Sequence, residues 1–230
     1  MHGNFFNRTE AGRLLALKLA KYVSRPDVSV LALPRGGVPV GYEVVEALAA
    51  PLDVLVVRKL GVPGDEELAM GAVASGGLQV LDAAVLSANE IPGRSVATVV
   101  AREQRELERR ERLYRLGQPA PVLRDRTVIL VDDGIATGST MRVAIAAVRS
   151  QHANRVVVAA PVAARSTYLE LRDVADEMVT ILMPKELVGL GRFYTDFART
   201  TDREVITLLT RARQNRWRAE TSSAPVGQLV

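Results

Sequence analysis

Cysteine is absent from this chain, which excludes disulfide bridges and thiolate metal sites and fits a reducing compartment. Histidine is almost absent. His2 and His152 stand far apart and offer no cluster with metal-ligand spacing. Long apolar runs are missing too, since none approaches the ~20 residues of a membrane span. The polar start MHGNFFNRTEAGRLL lacks the apolar centre of a signal peptide, so the expected location is cytoplasmic, with no membrane partner.

What remains, 48% hydrophobic and 24% charged over 230 residues, is the composition of an ordinary soluble domain with room for a sizeable core. The predicted organisation is one domain over 1–218, with a core at 28–183, a small hood segment at about 184–198, a closing helix at about 202–213 and a disordered tail at 219–230. A net charge of +4 and a pI near 9.7 leave nucleic acid possible as a partner. It is not favoured, because the arginines of AREQRELERRERLYRLG alternate with glutamates. That spacing predicts a long solvated helix over Ser95 to Leu116.

The most informative stretch is VILVDDGIATGST, Val128 to Thr140. Four consecutive apolar residues read as a strand buried on both faces of a parallel sheet. Asp132 and Asp133 then fall at its carboxyl end, where open α/β sheets hold ligands. Two adjacent carboxylates are costly to bury without ribose hydroxyls, a metal ion or a cation beside them. Ala136, Thr137, Gly138, Ser139 and Thr140 follow, and a helical pattern from about Ser139 aims free N–H groups back at the loop, forming a cradle for a phosphate monoester. The lysine of the nucleotide triphosphate loop is missing, and the spacing is not GxGxxG. A strand ending in an ordinary capped turn remains the plain alternative.

VILVDDGIATGST resembles the signature of the type I phosphoribosyltransferases, which bind 5-phosphoribosyl 1-diphosphate (PRPP). The resemblance implies an α/β fold, a mostly parallel sheet with helices on both faces, and transfer of the phosphoribosyl group to a nitrogenous base with release of diphosphate. Mg²⁺ held mainly by PRPP and a homodimer are further implications. Val28 to Leu33 reads as the first buried strand, ending in Arg35, Gly36 and Gly37. That loop resembles the family's diphosphate-binding loop, with two backbone N–H groups beside a guanidinium; by itself a Gly-Gly turn is more often a tight connection, and only its pairing with the later motif reverses that reading. Asp53 to Val57 reads as the next strand and leads to Lys59, either a second diphosphate clamp or a solvated lysine. The strands after it correspond to the family's mobile loop. Asp132, Asp133, Arg35 and Lys59 are therefore the candidate catalytic set.

Leu187 to Phe197 resembles the hood over the base in purine enzymes, with Phe193, Tyr194 and Asp196 as base-binding candidates; packing under a loop is the other reading. Ala136 stands where hypoxanthine-guanine enzymes carry an aspartate, which argues against a loop-borne general base. Two other functions remain open: a PRPP or nucleotide sensor that binds without catalysis and contacts nucleic acid, and a dinucleotide enzyme with Asp53 as ribose acceptor. For the last, the glycine spacing after the first strand is wrong.

Overall fold

The computed structural model describes residues 4–222. Its centre is a five-stranded, wholly parallel sheet built from β1 (Val28–Ala32), β2 (Leu52–Val54), β6 (Thr127–Val131), β7 (Arg155–Val162) and β8 (Glu177–Leu182), in the order β2-β1-β6-β7-β8. Every residue of β1 and β6 is buried, as continuous apolar runs covered on both faces require. Alternate residues of β6 face opposite layers. Ile129 and Val131 pack towards α1 (Arg8–Lys18), α2 (Gly37–Leu48) and α7 (Asp202–Ser222). Val128 and Leu130 pack towards α5 (Ser139–Ser150) and α6 (Arg165–Arg172). The α/β class expected from the sequence is what the chain adopts.

Strand order places the site. The chain moves outward from β1 to β2, then returns to the other side of β1 at β6, so the reversal lies between β1 and β6. These strands pair in parallel from Val28↔Thr127 to Ala32↔Val131, and their carboxyl-end loops must lie side by side.

Beside the main sheet stands an antiparallel sheet of β3 (Val57–Val62), β4 (Asp65–Ala74) and β5 (Leu78–Leu81), followed by α3 (Ala83–Ala88). The strand expected over Asp53 to Val57 is therefore two strands in different sheets. The break at Leu55 and Val56 carries no glycine or proline, and both residues are buried. The long helix α4 (Gly93–Arg115) is likewise less solvated than expected. Glu103, Leu107, Tyr114 and Arg115 are buried, while Arg102, Arg109, Arg110 and Arg112 pair with glutamates. Helix α1 begins at Arg8 with Asn7 as its cap. Thr201 caps α7, which runs on to Ser222; the expected tail is thus helical over 219–222, and 223–230 lie outside the described residues. Among the described residues no helix is long and apolar enough to cross a membrane.

Leu130 is fully buried in β6, in the core cluster that also holds Ile145 and Val148. Leu130→Ala is expected to cost about 2–5 kcal/mol in urea unfolding; a loss below about 1 kcal/mol would place this residue outside a tightly packed core.

Candidate active site

At the carboxyl end of β6, Asp132 and Asp133 meet the loop that follows β1. The approach is close enough to explain both glycines of that loop. A Cβ on Gly36 would stand 2.1 Å from Asp133 Oδ2, and one on Gly37 would stand 2.6 Å from the Val131 carbonyl oxygen. Gly36 lies in the ordinary right-handed region, so its lack of a side chain serves contact and not backbone freedom. The peptide bond between Pro34 and Arg35 is cis. One detail differs from the expected anion loop. The Gly37 N–H donates to the Leu33 carbonyl at 3.0 Å and is already used inside the turn.

An open cavity of about 180 Å³ is lined by Asp132, Ala136, Thr137, Gly138, Ser139 and Thr140 together with Leu190 from the hood. Gly138 takes φ +74°, where a Cβ would press within 2.5 Å of Thr167 Cγ2, and it opens α5 without a capping side chain. The first N–H groups of α5 therefore point towards this cavity. The loop is held from behind by α6 and by the end of β7: the Thr167 hydroxyl donates to the Ala136 carbonyl at 2.5 Å, and the Ile135 N–H donates to Val162 O at 2.8 Å.

The two acids are not equivalent. Asp133 is buried and accepts from Arg8 Nε at 2.7 Å, while its backbone carbonyl accepts the Tyr194 hydroxyl at 2.6 Å. Asp132 is half-buried and its Oδ1 accepts the Asp133 N–H at 2.8 Å. Burial, with the Asp133 carboxylate beside it, pushes the Asp132 carboxyl well above the usual aspartate range.

The two cationic candidates are each held by oxygen atoms of the protein. Arg35 lies 3.7 Å from Asp202 Oδ1, which also accepts the Tyr114 hydroxyl at 2.6 Å. Burial, reinforced by that hydrogen bond, pushes Tyr114 up to about 12. Lys59, on β3, donates to the Glu67 carbonyl at 3.1 Å and lines a cavity of about 640 Å³ shared with Ser139 and Thr140. Its neighbour Arg58 turns away to Glu103.

The hood forms around the N-terminal segment. Phe5 pairs with Tyr194 as a short bridge, and the N–H groups of Thr195 and Asp196 donate to the carbonyls of Phe5 and Phe6. Tyr194 is buried and stacks on Phe197 with centroids 4.9 Å apart. The Arg8 guanidinium covers Phe197 at 3.9 Å. Those two ring faces are therefore occupied by the protein itself. Phe193 is half-buried, and exposed Asp196 lines a separate cavity of about 140 Å³ with Arg8 and Arg199. Asp53 is held by Arg115 at 3.2 Å and lines a different cavity from Asp132; the dinucleotide alternative thus finds its ribose acceptor already paired. Arg8 was not among the sequence candidates. Its cue is an arginine in the first turn of a helix, where the dipole disfavours a cation unless an anion faces it.

Residues 7–194 match the model of the phosphoribosyl transferase domain. The chain is 41% identical over 211 residues to a Mycobacterium tuberculosis protein named as a candidate phosphoribosyl transferase, Rv0571c; the match covers 92% of this chain and 47% of that protein. The chain thus spans about half the length of that relative. The crystal structure of TT1426 from Thermus thermophilus superimposes with a TM-score of 0.77 at 39% identity, covering 90% of this chain and 98% of the other.

Raised in the folded state, the Asp132 pKa makes stability greatest at or below the unfolded aspartate value of ~3.9, with the contribution lost as pH rises towards the folded value. Asp132→Asn is therefore expected to melt higher than wild type at pH 7–8, with the two curves converging as pH falls to the unfolded aspartate value of ~3.9. Parallel curves in a pH series of thermal melts would show that Asp132 carries no such penalty.

Proposed function

This chain belongs to the phosphoribosyl transferase domain family, and from that premise we propose that it transfers the 5-phosphoribosyl group of PRPP to a nitrogenous base and releases diphosphate. The observation that carries the proposal is the cavity wall of Asp132 and Gly134 to Thr140, which joins the first acid of the pair to an uncapped helix start beside the sheet's reversal point. In this reading the 5-phosphate lies on the N–H groups and hydroxyls of Thr137 to Thr140. Its binding energy, remote from the breaking bond, orients C1. As that bond breaks, the ribose becomes cationic and diphosphate gains charge. Carboxylate near the sugar and Arg35 with Lys59 near the leaving group stabilise opposite ends of one transition state.

The expected cation is one that enters on its polyphosphate ligand, a hard divalent ion with oxygen donors. Mg²⁺ so bound supplies charge neutralisation at the diphosphate. A cytoplasmic homodimer completes the proposal.

A second reading, binding PRPP or a nucleotide without transfer, is favoured by the packed hood: Tyr194 and Phe197 stack on each other and under Arg8 and present no open face for an acceptor ring.

Calorimetric titration with PRPP and Mg²⁺, followed by a diphosphate-release assay across purine and pyrimidine bases, separates the two. Transfer is expected to give binding and release with one base, and binding without release across the panel supports the sensor. Arg35→Ala and Lys59→Ala are each expected to lower kcat/KM for PRPP by about 10–1000-fold; unaltered kinetics in both would remove them from the site.

A further inference from the structure

Arg8 stands where three parts of the protein meet. Its Nε is 2.7 Å from Asp133 Oδ2, its Nη1 donates to the Ala198 carbonyl at 2.7 Å, and its guanidinium lies 3.9 Å over Phe197 and 6.0 Å from the Tyr194 ring. The side chains of the ion pair are only 12% and 11% exposed. A buried pair of this kind is costly to break from one side, because the remaining charge has no solvent to replace its partner. The pair also divides the two acids by direction. Asp133 is enclosed by Arg8, Gly36 and Tyr194, whereas Asp132 lines the cavity shared with the Thr137 to Thr140 loop.

We propose that Arg8 is a positioning residue that holds Asp133 as a carboxylate anchored to the hood, leaving Asp132 as the ligand-facing member of the pair and fixing the hood against the sugar site. This deepens, and rests on, the reading of the acidic pair as the ribose site. The consequence is a division of labour. Asp133 belongs to the frame, and Asp132 meets the ribose hydroxyls. Because Arg8 also grips Ala198 and Phe197, a substrate that shifts the hood also shifts the charge beside Asp133.

The groups facing the pair are few. Helix α1 presents Arg8 and the hood presents Tyr194, while the loop after β1 presents uncharged Gly36 and turns Arg35 to Asp202. Removing Arg8 therefore leaves two carboxylates facing each other with no cation in contact. Their titration is a property of the pair, and its upper step must rise.

The test follows aspartate carboxyl signals by carbon NMR across pH in the ligand-free protein, for wild type, Arg8→Lys, Arg8→Gln and Arg8→Gln with Asp133→Asn. Arg8→Gln is expected to raise the upper step by about one unit or more. Arg8→Lys should stay near wild type and also serve as the folding control, and the double variant should fall below Arg8→Gln. In parallel, Mg·PRPP affinity is expected to drop at least about thirtyfold in Arg8→Gln and to recover most of that loss in Arg8→Lys. An Arg8 that merely fastens the hood would lower the melting temperature without moving the titration, and an unmoved upper step in Arg8→Gln overturns the proposal. If the titration moves as expected while wild type fails to bind Mg·PRPP, Arg8 still sets the acids and the ribose reading is what falls.

Discussion

Two carboxylates on neighbouring residues cannot both be ionised in a poorly solvated site unless a cation or a hydrogen-bonding ligand stands beside them. Much of this fold serves that constraint at Asp132 and Asp133. The buried strand β6 delivers both acids to the sheet's carboxyl edge, and its in-register pairing with β1 brings Gly36 and Gly37 into contact with them. Helix α1 supplies the cation for Asp133. Asp132 keeps a raised pKa and an open side, which is a standing cost in the free protein and an opportunity for a sugar.

The same logic extends to the rim. Arg35 is steadied by Asp202 at the start of α7, and Asp202 in turn accepts from Tyr114 at the end of α4. Lys59 is steadied by Glu67 across the small antiparallel sheet. The two helices and the side sheet thus hold both candidate cations in place through carboxylates and a carbonyl of the protein itself. Pre-set charge of this kind costs no reorganisation as a leaving group develops.

The central part of this arrangement was legible in the sequence. Continuous apolar runs identify β1, β6 and β7 because a strand covered on both faces leaves no alternation to misread, and the acids and hydroxyls follow β6 directly. Legibility ended where distant segments meet. Nothing near Leu55 and Val56 marks the change of sheet that moves Lys59 onto a separate hairpin. The Arg8 contact to Asp133 spans 125 positions, and only the dipole-opposed placement of the arginine hinted at it. The hood illustrates a different limit: composition locates the aromatic cluster but cannot say whether Tyr194 offers its face to a ligand or, as here, to Phe197.

The relation between the acidic pair and the phosphate cradle is most directly tested by following backbone amide signals during titration with ribose 5-phosphate. If the loop binds as proposed, the amides of Thr137, Gly138, Ser139 and Thr140 shift together and saturably, and Asp132→Asn weakens that response. Saturable shifts confined to other parts of the chain, with these four amides unmoved, would contradict the assignment.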